Sequence, residues 1–256
     1  MELQPLVITR RKLVLRLVEV YFADEPEMPP LSGDLVVFLQ ARTGRGRCLP
    51  FHTLQLDLRN DPARLWSDFS KTTQYEIRRG EARDGPVVSI GLQPSAGEID
   101  EFARFYDRFA RGAGIARCNR GKLSSLNHST ALAISRADDG RGAALCRHAY
   151  IVTPSRARLL YSATSRSASS SSEESAAIAR VHRTLHWADI QAFRRQGMFL
   201  YDFGGLALSG DPRLQGIDSF KRGFGGQVVV EYNCYVHQTL LGRLALAYLD
   251  SRRMPA

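Results

Sequence analysis

The pattern of apolar and polar positions divides the chain into a β-rich opening and a longer mixed region. Leu35-Val36-Val37-Phe38-Leu39 is a continuous apolar run and predicts a compact strand. Phe51 to Leu58 alternates, with Leu54, Leu56 and Leu58 on one face, and reads as the returning strand after the basic turn Thr43-Gly44-Arg45-Gly46-Arg47. Asp61-Pro62 opens a helix carrying Leu65, Trp66 and Phe69, because aspartate caps a helix start and proline suits its first turn. A second helical piece is expected over Thr73 to Ala82, then a strand at Pro86-Val87-Val88-Ser89-Ile90. Pro94 and Gly97 mark a boundary.

Beyond it, Ile99, Phe102, Phe105, Tyr106 and Phe109 recur at helical spacing until Gly112 and Gly114. Lys122 to Ala137 predicts another helix. Ala143 to Val152 and Arg156 to Ala163 predict two strands turned around Thr153-Pro154-Ser155. The serine run from Ser165 to Ser175 has a linker's composition, yet Ser171-x-x-Glu174 is a capping box, with Glu173 and Glu174 in the first turn. Ile178, Val181, Leu185, Ala188 and Ala192 form one apolar stripe, Arg194 and Arg195 occupy the last turn, and Gly197 stops the helix. Phe199 to Phe203 follows as a strand, Val228 to Tyr232 as another, and Leu240 to Leu249 as a C-terminal helix with a basic tail. The order after residue 98 is helix, helix, strand, strand, long helix, strand, short helix, strand, helix. That is a mixed α/β (α+β) arrangement, neither a bundle nor a sandwich.

Glycine is concentrated in two places: Tyr201-Asp202-Phe203-Gly204-Gly205 and Gly216-Ile217-Asp218-Ser219-Phe220-Lys221-Arg222-Gly223-Phe224-Gly225-Gly226. Chains place glycine where the backbone turns tightly or approaches another group closely. Here the glycines flank an apolar ring and a cation, Phe220-Lys221.

Charge adds a partner class. Lys+Arg 35 against Asp+Glu 26 gives a formal net charge of +9, most of it arginine. Guanidinium forks suit phosphate, so nucleic acid, a nucleotide-bearing substrate or an anionic surface are the polyanions to expect; a basic, arginine-rich background composition gives the same count. Cys48, Cys118, Cys146 and Cys234 are far apart and form no CxxC pair. They predict buried, reduced thiols, not a zinc ribbon or a disulfide scaffold. Thr9-Arg10-Arg11-Lys12 resembles a twin-arginine export signal only faintly, since Arg16 and Glu19 break the apolar run that should follow. No run approaches the ~18 apolar residues of a membrane span, and a cytoplasmic protein, with at most peripheral contact to an anionic surface, is expected.

The element order together with His186-Trp187, Gln196-Gly197, YDFGG at 201–205 and GIDSFKRGFGG at 216–226 resembles the GNAT acyltransferase fold. More narrowly it resembles the Fem-type branch, which includes the aminoacyl-tRNA-dependent peptidoglycan bridge enzymes. Ser67 to Arg79, with Lys71, Arg78 and Arg79, is similar to the basic helix that precedes that family's second lobe. The resemblance covers roughly two-thirds of the chain. It implies a trimmed N-terminal GNAT-like lobe over residues 1–95 and a full C-terminal lobe over 96–256.

The implied reaction is aminolysis of an activated acyl group, with no cofactor beyond the donor itself. A cation or N–H donor placed where the oxyanion develops accelerates it. By resemblance Phe220-Lys221 lines the transfer site; Lys221 stabilises the oxyanion or meets a donor phosphate. Asp202 accepts the amine's proton, or caps the turn beside it. Tyr161 and Tyr201 contact the substrate, or sit in the core with tethered hydroxyls. Gly204 and Gly205 admit substrate closely, and Arg222, Lys71, Arg78 and Arg79 hold phosphate, or face solvent. His182 and His186 are four apart on one helix, but Arg183 breaks the HExxH pattern and no metal site is expected. Coenzyme-A-using GNAT enzymes carry a glycine-containing loop before the long helix that grips pyrophosphate. Here Ser165 to Ser172 has no glycine. With the charge, this favours aminoacyl-tRNA as donor over acyl-CoA or a carrier-protein thioester. A non-enzymatic basic nucleic-acid-binding module is the third class, and it leaves the glycine-flanked Phe-Lys pair without a purpose.

Overall fold

A computed structural model describes residues 5–26, 32–44, 47–166 and 170–251. Arg45 and Gly46 of the basic turn, Ser167 to Ser169 of the serine run and the basic tail beyond 251 lie outside the described residues. In chain order the elements are β1 (Leu6–Lys12), β2 (Leu15–Tyr21), β3 (Leu35–Ala41), β4 (Cys48–Asp57), α1 (Pro62–Asp68), α2 (Lys71–Arg79) and β5 (Val87–Leu92). Then come α3 (Ala96–Ala113), α4 (Arg120–His128), β6 (Leu132–Asp138), β7 (Ala144–Val152), β8 (Arg156–Thr164), α5 (Ser172–Arg195), β9 (Leu200–Gly205), α6 (Pro212–Arg222), β10 (Gln227–His237) and α7 (Leu240–Ser251).

These elements form two compact units, Leu54–Val228 and Met1–Thr53 with Val229–Ala256. The end of β4, with α1 and α2, belongs to the larger unit because Leu54, Leu56, Leu58, Leu65, Phe69 and Ile77 share one core with Trp187, Phe193, Phe203 and Phe224.

In the smaller unit β1 and β2 form an antiparallel hairpin, β2 runs parallel to β3, and β10 runs antiparallel to β3. The hairpin is absent from the sequence reading, because the arginines of Thr9-Arg10-Arg11-Lys12 hide its alternation. Glu19 accepts from Arg10 and from the Tyr21 hydroxyl, so this buried carboxylate is paired. Cys48 and Cys234 are joined by a disulfide in the core of this unit, which corrects the expectation of four reduced thiols; Cys118 and Cys146 are free. Sequence spacing could not pair residues 186 apart, since only the fold brings them together.

In the larger unit β6 pairs with β5 and β7, and β7 with β8, all antiparallel, while β8 and β9 are parallel. The expected helix from Lys122 to Ala137 is two elements. α4 stops at His128, Thr130 takes a positive φ of 53°, and β6 begins at Leu132. The Leu132-Ala133-Ile134 run fills a strand buried in the sheet, and a short apolar run does not by itself distinguish that from helix. α5 carries the expected capping box: Ser171 Oγ accepts from Glu174 N, and Glu174 accepts from Ser171 N. Its buried stripe of Ile178, Val181, Leu185, Ile190 and Phe193 packs on the sheet. A bidentate pair from Arg180 to Asp84 (2.6 and 2.8 Å) ties it to the π-turn Gly80–Asp84 that follows α2. Among the described residues no helix is long and apolar enough to cross a membrane.

Candidate active site

β8 and β9 pair only over Arg156↔Leu200, Ala157↔Tyr201 and Arg158↔Asp202, although both strands continue. The pairing ends at Asp202, two residues before Gly204, which adopts φ +70°. A Cβ there would lie 2.9 Å from the carbonyl oxygen of Leu159, so the close approach of β8 requires glycine. Gly204 and Gly205 thus end β9 beyond its last residue paired with β8, with Gly204 still against the β8 backbone.

Lys221 reaches this end of β9. Its Nζ donates to the carbonyl of Gly205 at 2.5 Å. Two features fix α6 so that it does. Asp218, buried on the helix, accepts from the backbone N–H groups of Ala207 (3.1 Å) and Leu208 (2.9 Å), pinning the loop after β9. At the other end Gly225 and Gly226 have φ +71° and +83° and lie against backbone. A Cβ on them would stand 2.6 Å from Asp68 O and 2.5 Å from Gln55 O. Phe224 is fully buried against Phe69, Phe203 and His186. Phe220 stacks on His182, with centroids 4.8 Å apart and planes 13° from parallel, and Arg183 lies 4.8 Å from the Phe220 ring centre.

Burial lowers the Lys221 ammonium from 10.5 to about 8, with Arg158 adding to the shift and Asp218 and Asp202 opposing it. The amine is therefore charged at neutral pH and loses its charge as pH rises through 8. Lys221 is one of four lysines in the chain. In protein carrying 13C-labelled lysine, one side-chain resonance should titrate near 8, and Lys221→Arg should remove it. Four resonances titrating at about 10.4, the ordinary lysine value, would contradict the assigned environment.

The other expected site residues divide. Asp202 is fully buried; Oδ1 accepts from Gly204 N at 2.7 Å and Oδ2 from the Arg156 guanidinium. Of its two readings, the turn-capping contact is the one present in this geometry. Tyr201 is likewise core, its hydroxyl bonded to Tyr150 (2.8 Å) and His186 (2.7 Å). Tyr161 is partly exposed, accepts from Asn119 N at 3.2 Å and packs on Tyr106 at 4.7 Å. Arg222 and Lys71 are exposed. Ser70 N donates to Gly223 O at 2.9 Å, so the start of α2, with Lys71, adjoins the end of α6 with Arg222. Arg78 lies over Trp66 at 5.3 Å and Arg79 over Tyr75 at 6.0 Å, further along α2.

The start of α5 is lined with carboxylates. Glu174 closes the capping box and Glu173 pairs with Arg83 at 2.5 Å. Negative charge already occupies the end of the helix dipole where an anion would otherwise bind. Sequence reasoning passed over His148, Ser162 and Asp189, which stand beside His182 and His186 in the interior. Their signal is weak in sequence, because His148 and Ser162 lie on strands apart from the glycine motifs.

No protein-family model and no curated protein matches the sequence. Solved structures do match the fold. FemX superposes with a TM-score of 0.62 at 9% identity, covering 95% of this chain and 85% of that one. The C-terminal DUF2156 domain of a protein named as a lysylphosphatidylglycerol synthetase of Agrobacterium fabrum gives 0.56 at 14%, covering 95% and 84%. L-PGS from Bacillus licheniformis gives 0.55 at 14%, covering 95% and 85%. At such identities the likeness is one of fold, and the chain carries the GNAT fold in the form seen in FemX and the lysylphosphatidylglycerol synthetase domain.

Proposed function

We propose that the protein is an N-acyltransferase that forms an amide between an activated acyl group and a substrate amine, with the transfer centre at the parting of β8 and β9. The observation that carries this reading is Lys221: a largely buried ammonium, held on the Gly205 carbonyl beside a strand end that only glycine permits. As the amine attacks the acyl carbonyl, the carbonyl oxygen gains negative charge. A desolvated cation already in place stabilises that charge without reorganising. Phe220, beside it, gives the acyl group an apolar wall.

The donor in this reading is aminoacyl-tRNA. The charge of +9 supports a polyanionic partner, and exposed Lys71 and Arg222 stand at adjoining helix ends near the proposed centre. Glu173 and Glu174 at the start of α5 disfavour pyrophosphate where coenzyme-A-using relatives would hold it. In a gel shift with bulk tRNA at low salt the protein should bind, and affinity should fall steeply with added salt because each phosphate contact releases a counterion. Lys71→Glu combined with Arg222→Glu should weaken binding and flatten that slope. Absence of tRNA binding at low salt, with a thermal shift from acetyl-CoA, would move the donor to a thioester and leave the transferase reading in place.

A further inference from the structure

The interior beside the proposed centre holds three histidines, His148 from β7 and His182 and His186 from α5. One ring nitrogen from each lies within 4.8 Å of those of the other two. The rings are in mutual contact, with centroids 4.2 to 5.1 Å apart. The hydrogen bonds of His148 and His186 determine which of their nitrogens carry protons. Asp189 Oδ2 accepts from Ser135 Oγ (2.8 Å), His148 Nδ1 (2.8 Å) and the Tyr150 hydroxyl (2.6 Å). Tyr150 has one proton and gives it to Asp189, so the Tyr150–Tyr201 bond requires Tyr201 as donor. Tyr201 then has no proton left for His186, and His186 Nδ1–H is the donor in their 2.7 Å bond. His148 and His186 are both protonated on Nδ1, which leaves the Nε2 of each without a proton. The Nε2 of His148 is buried with no hydrogen-bond partner among the described residues. His182 Nε2 meets Ser162 Oγ at 2.9 Å, where either group can donate; in the tautomer in which the ring donates, its Nδ1 is a third lone pair.

Unprotonated imidazole nitrogens cannot satisfy one another, and an unpartnered buried acceptor is costly. Metal-binding histidines characteristically donate their second ring N–H to a carboxylate or another oxygen, which fixes tautomer and orientation. His148 does so to Asp189 and His186 to Tyr201. We infer that His148, His182 and His186 form a binding site for a transition-metal dication of the zinc class, with Asp189 and Tyr201 orienting two of the three ligands. Three imidazoles at about 2.1 Å from one ion need the cluster to draw together by about an ångström. The sequence expectation of no metal weighed only the pair on α5; the third ligand comes from a strand that the pair's spacing could not indicate.

The test uses untagged full-length protein. After removal of metal by chelation, it should take up one equivalent of Zn2+ by elemental analysis. With Co2+ it should develop the visible absorption of a low-coordinate, nitrogen-ligated ion. His186→Gln and the less buried His182→Gln should each weaken uptake by about 100-fold or more. Tyr201→Phe, which keeps all three ligands but removes the oxygen on His186, should weaken it by roughly 10-fold; a merely structural role for that hydroxyl would leave uptake unchanged. Circular dichroism identifies variants that remain folded, and His182→Gln, on the partly exposed ring, serves where a core variant does not fold. Failure of the wild-type protein to bind Zn2+ or Co2+, or folded His182→Gln protein binding as the wild type does, would overturn the site. Neither result bears on the role of Lys221.

Discussion

Lys221→Ala should reduce amide formation by about 100- to 1,000-fold, the range lost when one preorganised donor to a developing oxyanion is removed. The fold should remain. Lys221 is in the last turn of α6, and the aromatic packing that holds this helix is made by Phe220 and Phe224. The sign of its pH dependence is also fixed. Burial lowers the ammonium to about 8, so the cation is present below that pH and is lost above it. For an acceptor amine already unprotonated at neutral pH, wild-type rate should fall as pH rises through 8, and the residual rate of Lys221→Ala should show no such fall. Turnover near wild type in Lys221→Ala would return this lysine to an ordinary surface role.

The second large effect is on stability. Asp202→Ala should destabilise the protein by about 3–5 kcal/mol, because it leaves the Arg156 guanidinium buried without its carboxylate. It also removes the acceptor for Gly204 N. For a unit of this size that corresponds to a fall in melting temperature on the order of 10 °C. An active-site base behaves differently, with a collapse in turnover and little change in melting temperature. Thermal unfolding and turnover of Asp202→Ala, measured at a temperature where it is still folded, therefore separate the two. Unchanged stability with lost activity would restore Asp202 as the proton acceptor.

The fold was most legible where local chemistry alone decides it. The capping box at Ser171, the apolar stripe behind it and Gly197 after it bound α5 without any tertiary information. The glycines at 204, 225 and 226 marked close approaches, and each does lie against backbone. What remained hidden depends on contacts distant in sequence. Leu132 to Ala137 is equally apolar as helix or strand, and only pairing with β5 and β7 makes it a strand. Asp202 looks catalytic beside a glycine turn until Arg156 is seen across the sheet from it. The Cys48–Cys234 disulfide and the His148–His182–His186 cluster likewise join positions that share no motif. At the candidate site, the sequence identified the cation and its glycines. It did not show which neighbouring polar groups are already bonded to one another.

The most direct measurement is a donor screen read by mass spectrometry, in which charged tRNAs and acyl thioesters are each offered with a panel of amines to wild-type and Lys221→Ala protein. The account predicts an amide product with wild-type protein from aminoacyl-tRNA, and its near disappearance with Lys221→Ala. No amide from any donor, or equal product from both proteins, would contradict it.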